Sequence, residues 1–315
     1  DLLNTRINTA VTFMNGVATD GWRQSFTNKT GCGMDYDAEQ AGKYLESVAL
    51  AWHYTKNAQL KTKLDNFASM LISAQEADGY LGNYQESCRY KSWDVWNQKY
   101  IIEGLLLKYQ FTGNSTDLES AKKGGNWLYG RFTAPNGSTQ FTSQAVIGLA
   151  STSLLWSLVD LYRLTGESKY LTFCNSIAAL NTTQSLMTRM QDATELYSQK
   201  AYETYATILG LAGLYRITGN QTYLTVCRRA WEKVYAAHLY PHGTFSNGET
   251  IVKDYNLGWD YGQIWGNPAN IGESCVTFQW IMLNWELFRL TGEIQYAQEM
   301  ERRLYNAVLG GQNPR

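Results

Sequence analysis

The sequence predicts an all-α protein, an (α/α)6 toroid of helical hairpins that is short of one helix. Three observations predict it. A Thr-Gly turn recurs at Thr112-Gly113, Thr165-Gly166, Thr218-Gly219 and Thr291-Gly292, with Thr55-Lys56 as a degenerate copy. The step from Thr112 to Thr165 equals that from Thr165 to Thr218, 53 residues, the length of two helices with their connections. Each copy is preceded by an apolar, aromatic-rich helix and followed by an amphipathic one. Leu154, Leu155, Leu158, Val159, Leu161 and Tyr162 show the helical spacing of apolar positions.

In chain order the helices are expected at 1–16, 37–55, 57–77, 93–111, 115–131, 143–164, 167–180, 198–217, 220–238, 272–290 and 293–310. Asp37 is a candidate cap for the second. The Thr-Gly turns end four others, because glycine takes the left-handed position past a helix end without a Cβ penalty. Asn or Glu just after the glycine helps start the next helix. Twelve helices would close the ring and eleven are read. An open superhelix of hairpins is the competing arrangement. The whole of 1–315 reads as one domain.

The stretches 17–36, 78–92, 132–142, 183–197 and 239–271 read as non-helical. Each joins an outer helix to the next inner one, so all are expected on one rim, where a site is built.

Net charge is −1, which gives no reason to expect a nucleic-acid or anionic-membrane partner. No apolar run reaches the roughly 18 residues that span a bilayer. With 11 Trp and 22 Tyr the chain is rich in rings that stack on sugars, although large helical cores also use them. Cys174 and Cys227 occupy equivalent repeat positions and read as buried apolar residues; Cys32 and Cys88 lie in loops and can pair. Asn-x-Ser/Thr triplets at Asn28, Asn114, Asn136, Asn181 and Asn220 point to a secreted or periplasmic protein.

Glycosidic cleavage needs an acid for the leaving oxygen and a second group to attack or to activate water. Glu249, in the longest loop, is the candidate acid/base. Asp35, Asp37 and Asp254 are candidates for the second group. Trp93, Trp96, Tyr100, Tyr202, Glu203, Trp259 and Trp265 are candidate sugar contacts. Glu273 and Cys275, two apart at a helix start, can point two donors at one zinc ion, which normally takes three or four protein ligands. A buried Cys beside an N-terminal Glu favoured by the helix dipole explains that pair at least as well.

Taken together, certain segments resemble glycoside hydrolase family 127, the β-L-arabinofuranosidase group. They are Asp35-Tyr36-Asp37…Lys43-Tyr44-Leu45-Glu46, Gln75-Glu76-Ala77-Asp78-Gly79-Tyr80-Leu81, Trp93-Asp94-Val95-Trp96…Lys99-Tyr100, Lys200-Ala201-Tyr202-Glu203, Gly248-Glu249, Glu273-Ser274-Cys275 and Leu304-Tyr305-Asn306-Ala307-Val308-Leu309. The resemblance implies an (α/α)6 catalytic domain and retention of configuration. It also implies a cysteine nucleophile held on zinc, with Glu249 as acid/base and Glu273 and Cys275 as zinc ligands. The family's remaining ligands, nucleophile included, come from an adjacent Cys-Cys pair farther along, followed by β-sandwich domains. This sequence contains neither. It therefore reads either as a portion of a longer hydrolase or as a shortened relative with another nucleophile. The favoured substrate is a β-linked L-arabinofuranoside on plant or microbial polysaccharide side chains. The competing functions are a polysaccharide lyase or other sugar-active toroid enzyme, and a non-catalytic glycan-binding toroid.

Overall fold

The computed structural model describes residues 2–192, 200–241, 243–247, 249–251 and 272–312. It consists of two compact units, Asp1–Phe173 and Cys174–Arg315. The described residues are helical almost throughout, so the all-α class holds.

The first unit contains α1 (Leu2–Gly16), α2 (Asp20–Asn28), α3 (Asp37–Thr55), α4 (Ala58–Ser73), α5 (Asp94–Thr112), α6 (Ser115–Thr133), α7 (Gly137–Thr142), α8 (Leu149–Thr152) and α9 (Leu155–Thr165). Helix α10 (Ser168–Ala178) crosses the border between the units in sequence. The second unit continues with α11 (Asn181–Gln191), α12 (Ala201–Thr218), α13 (Gln221–Lys233), α14 (Ser274–Thr291) and α15 (Ile294–Arg303). A two-residue hairpin, β1 (Ser246–Asn247) and β2 (Thr250–Ile251), lies between α13 and α14.

The repeat has a two-part physical basis. Gly113, Gly166, Gly219 and Gly292 all adopt left-handed φ, from 68° to 72°, and each N–H donates to the carbonyl four residues back at 2.8 Å. The preceding threonine does the rest. The hydroxyl of Thr112, Thr165, Thr218 or Thr291 donates to a carbonyl of the last turn at 2.6–2.8 Å. The same oxygen accepts the N–H of the residue after the glycine at 3.2–3.3 Å. Orphan groups on both sides of the turn are thereby satisfied. Thr55 does the same, with Lys56 taking the left-handed position at φ 57°. Asn57, Asn114 and Asn220 then cap the following helices through their side chains.

Helices α3 and α5 pack unusually close. A Cβ on Gly42 would lie 2.3 Å from the carbonyl carbon of Tyr100, and one on Gly104 would lie 3.0 Å from Gly42 O. Burial of Leu45, Val48, Ile101 and Leu105 follows from that approach.

Four expectations are corrected. Segments 17–36 and 183–197, read as loops, contain α2 and most of α11; 132–142 contains α7. The run 143–164 is not one helix. Val146, Ile147 and Gly148 take left-handed φ of 57°, 54° and 83°. Contacts distant in sequence override propensity there: Ala145 N donates to Ser92 O at 3.0 Å and Gln144 Nε2 to Tyr90 O at 3.2 Å. Cys32 and Cys88 form a disulfide, Cα atoms 5.4 Å apart, while Cys174 and Cys227 are buried as expected.

Candidate functional site

In the second unit, Glu249 belongs to the two-residue connection of the β1–β2 hairpin, where mirror-image turns favour positive φ. Its own φ is 66°, a conformation that costs a non-glycine residue roughly 1 kcal/mol. The chain just before α12 holds it there. Lys200 forms an antiparallel bridge with Thr250, and Ala201 N donates to Glu249 O at 2.9 Å. The Lys200 ammonium ion-pairs with Glu249 Oε2 and lies 3.9 Å from Glu203 Oε1. Glu203 is buried in the first turn of α12, where the helix dipole favours a carboxylate.

Glu273 precedes α14 and ties it to the hairpin. Gly272 N donates to Ser246 O at 3.2 Å, and the Ser246 side chain bonds the Glu273 carboxylate. Burial pushes the Glu273 carboxyl above the ordinary range; the Ser246 bond opposes this, the charge of Glu249 adds to it, and Lys200 offsets it. Glu273 Oε2 is buried with no hydrogen-bond partner among the described residues. Cys275 Sγ lies 4.0 Å from Glu273 Oε1 and is half-buried. Three carboxylates, Glu203, Glu249 and Glu273, therefore gather about one ammonium, with a thiol at the edge. Tyr202 is half-buried beside Glu203 on α12.

In the first unit, Asp35 rather than Asp37 serves the start of α3. Asp35 Oδ1 accepts Asp37 N at 3.0 Å and Asn83 Nδ2 at 2.7 Å, and its carbonyl accepts Asn97 Nδ2 at 2.7 Å. The capping expected of Asp37 thus comes from two residues earlier. Trp93 is half-buried, whereas Trp96 and Tyr100 are 1% and 4% exposed. Lys99 covers both rings, 4.6 Å from the Trp96 centroid and 4.3 Å from that of Tyr100. The polar start of α5 is therefore part of a packed charged interior. Glu39 pairs with Lys43 at 2.5 Å, Lys99 lies 3.9 Å from Glu103, and Ser157 Oγ donates to Glu103 at 3.1 Å. Burial raises the Glu103 carboxyl to about 7 and lowers the Lys99 ammonium. Asp254, Trp259 and Trp265 lie outside the described residues.

Asp94, fully buried, accepts Tyr80 Oη at 2.8 Å, Tyr90 N at 2.6 Å and Gln98 Nε2 at 3.3 Å. Burial nevertheless raises its carboxyl to about 6, those bonds opposing the rise. Between about pH 4 and 6 the folded chain keeps a proton that the unfolded chain releases. This group's stabilisation is therefore complete in acid and drains away as pH rises through about 6. In Asp94→Asn, urea unfolding from pH 4 to 7 should lose that part of the downward slope; an unchanged slope would refute the assignment.

Lys200 and Ser246 were not among the residues singled out in the sequence. Lys200 stood beside Tyr202 and Glu203 in a family-like segment, which was the available signal. Ser246 carried none, since its role depends on the hairpin register.

The whole chain, residues 1–315, matches the family profile described as "Beta-L-arabinofuranosidase, GH127 catalytic domain". It is 24% identical over 321 aligned residues to a non-reducing end β-L-arabinofuranosidase of Bifidobacterium longum subsp. longum, covering 89% of this chain and 47% of that protein. A solved GH127 β-arabinofuranosidase superposes with a TM-score of 0.73 at 22% identity, over 99% of this chain and 52% of the other. A GH127 β-L-arabinofuranosidase from Geobacillus stearothermophilus T6 gives 0.72 at 18% identity, over 95% and 52%. At those identities the two solved structures show a shared fold. The chain spans about half the length of these relatives.

Proposed function

This chain belongs to the glycoside hydrolase family 127 β-L-arabinofuranosidase catalytic-domain family, and from that premise we propose that it acts as a retaining glycosidase on β-linked L-arabinofuranosyl groups of polysaccharide side chains. The observation that carries the reading is the gathering of Glu249 and Glu273, remote in sequence, around Lys200, with Cys275 alongside. Glu249, whose side chain is 58% exposed, is open to a sugar and to proton exchange. It protonates the leaving oxygen and then accepts the proton of the water that frees the sugar.

Glu273 and Cys275 would be two ligands of a zinc ion. The donor chemistry fits: a buried carboxylate oxygen without a partner among the described residues, and a sulfur beside its neighbour. Among the described residues no three His, Cys, Asp or Glu groups could hold a metal, so the pair is a partial donor set. Bound zinc would keep a thiolate deprotonated and oriented for attack.

The test is the full-length protein with an aryl β-L-arabinofuranoside, read by NMR for the first-formed anomer and by elemental analysis for zinc. Release of the β anomer with zinc bound is the expected result; hydrolysis confined to α-linked substrates would end the reading.

Export is proposed on two independent grounds. The Cys32–Cys88 disulfide belongs to an oxidising compartment, and all five Asn-x-Ser/Thr asparagines are exposed. Peptide-N-glycosidase should lower the mass of the protein purified from its source. An unchanged mass together with reduced Cys32 and Cys88 would count against export.

A further inference from the structure

We propose that Lys200 is the positioning residue of this site, holding the Glu249 carboxylate at the angle from which it delivers its proton. The role rests on the reading of Glu249 as acid/base. Glu249 is on a hairpin connection with its side chain largely in solvent, and the charge of Glu273 repels it. Left alone, such a side chain turns outward. Lys200 opposes that at two levels. Its backbone bridges Thr250 while the next N–H binds Glu249 O at 2.9 Å, which fixes the left-handed turn. Its ammonium, at the start of α12 with 23% of the side chain exposed, ion-pairs with Glu249 Oε2 and lies 3.9 Å from Glu203 Oε1, which ties the Glu249 carboxylate to the helix start.

A stabilising role does not account for the arrangement. An ion pair with one partner 58% exposed adds little to folding, about 0–1 kcal/mol. The same contact matters greatly to orientation, because displacing a catalytic group by about 1 Å costs roughly 10²-fold in rate.

The experiment uses the full-length protein and two β-L-arabinofuranosides, one with an alkyl and one with a 4-nitrophenyl leaving group. An alkoxide must be protonated as it departs, whereas 4-nitrophenolate leaves unaided. In Lys200→Met, kcat/KM for the alkyl glycoside should fall about 10²-fold and that for the aryl glycoside less than about tenfold. Lys200→Arg should restore most of the loss. Lys200→Gln, which keeps a donor but no charge, replaces the Met variant if that does not fold. Equal losses on both substrates, or no loss on either, would overturn the positioning role while leaving the glycosidase reading intact. A wild type inactive on both would end that reading, and this role with it.

Discussion

Glu249→Gln should lower kcat/KM of the full-length protein by about 10²–10⁴-fold, the range for loss of a general acid/base, with the melting temperature nearly unchanged. The two parts of this expectation have different origins. Glutamine is isosteric and tolerates the left-handed turn no worse than glutamate, and the backbone bond from Ala201 N to Glu249 O does not involve the side chain. Stability should therefore move by less than about 0.5 kcal/mol, as for an exposed substitution. Activity should collapse because an amide can neither give nor take the proton. Each tenfold loss corresponds to about 1.4 kcal/mol of barrier, so the predicted effect is several times any stability change. Steady-state kinetics on the alkyl glycoside, with a thermal melt of the same sample, measure both. Full activity in this variant would remove Glu249 from the mechanism.

Asp117→Ala should destabilise the first unit by about 3–5 kcal/mol. Lys108 and Asp117 pair at 2.5 Å, with side chains 2% and 1% exposed, and join α5 to α6 across the Thr112-Gly113 turn. Removing the carboxylate strands a buried ammonium. Asp65, 3.4 Å away and 43% exposed, compensates only partly, which favours the lower end of the range. The Asp117→Ala/Lys108→Met double variant should recover much of the loss, since no charge is then left without a partner. Urea denaturation of both variants checks this. A loss below about 1 kcal/mol in the single variant would show that Asp65 or water replaces Asp117 fully.

The buried pair also marks where reading along the chain reached its limit. Lys108 and Asp117 were visible only as polar residues flanking a turn. Whether two charges are buried together depends on how closely the helices approach. The same holds for Lys43, Lys99 and Glu103. From the sequence, Trp96 and Tyr100 are expected as sugar contacts. The structure places Lys99 over Trp96 and Tyr100 inside the packing. The short helices α2 and α11 contain Gly21, Thr27, Thr182 and Thr183, residues of low helix propensity. Burial of Phe26, Leu186 and Met190 outweighs that preference.

Helical class, the hairpin repeat and its turns were legible without coordinates, because each rests on interactions within a few residues: apolar periodicity, a left-handed glycine, a capping Asn. The family was legible too, through the short segments from Asp35-Tyr36-Asp37 to Leu304-Tyr305-Asn306 taken together. Assembly of the site was not. Glu203, Glu249 and Glu273 are brought together by a two-residue hairpin that pairs with the start of α12 and bonds the start of α14. Such contacts between distant segments leave no periodic trace. They form because buried polar groups must find partners, and which partners are in reach is settled only when the helices have packed.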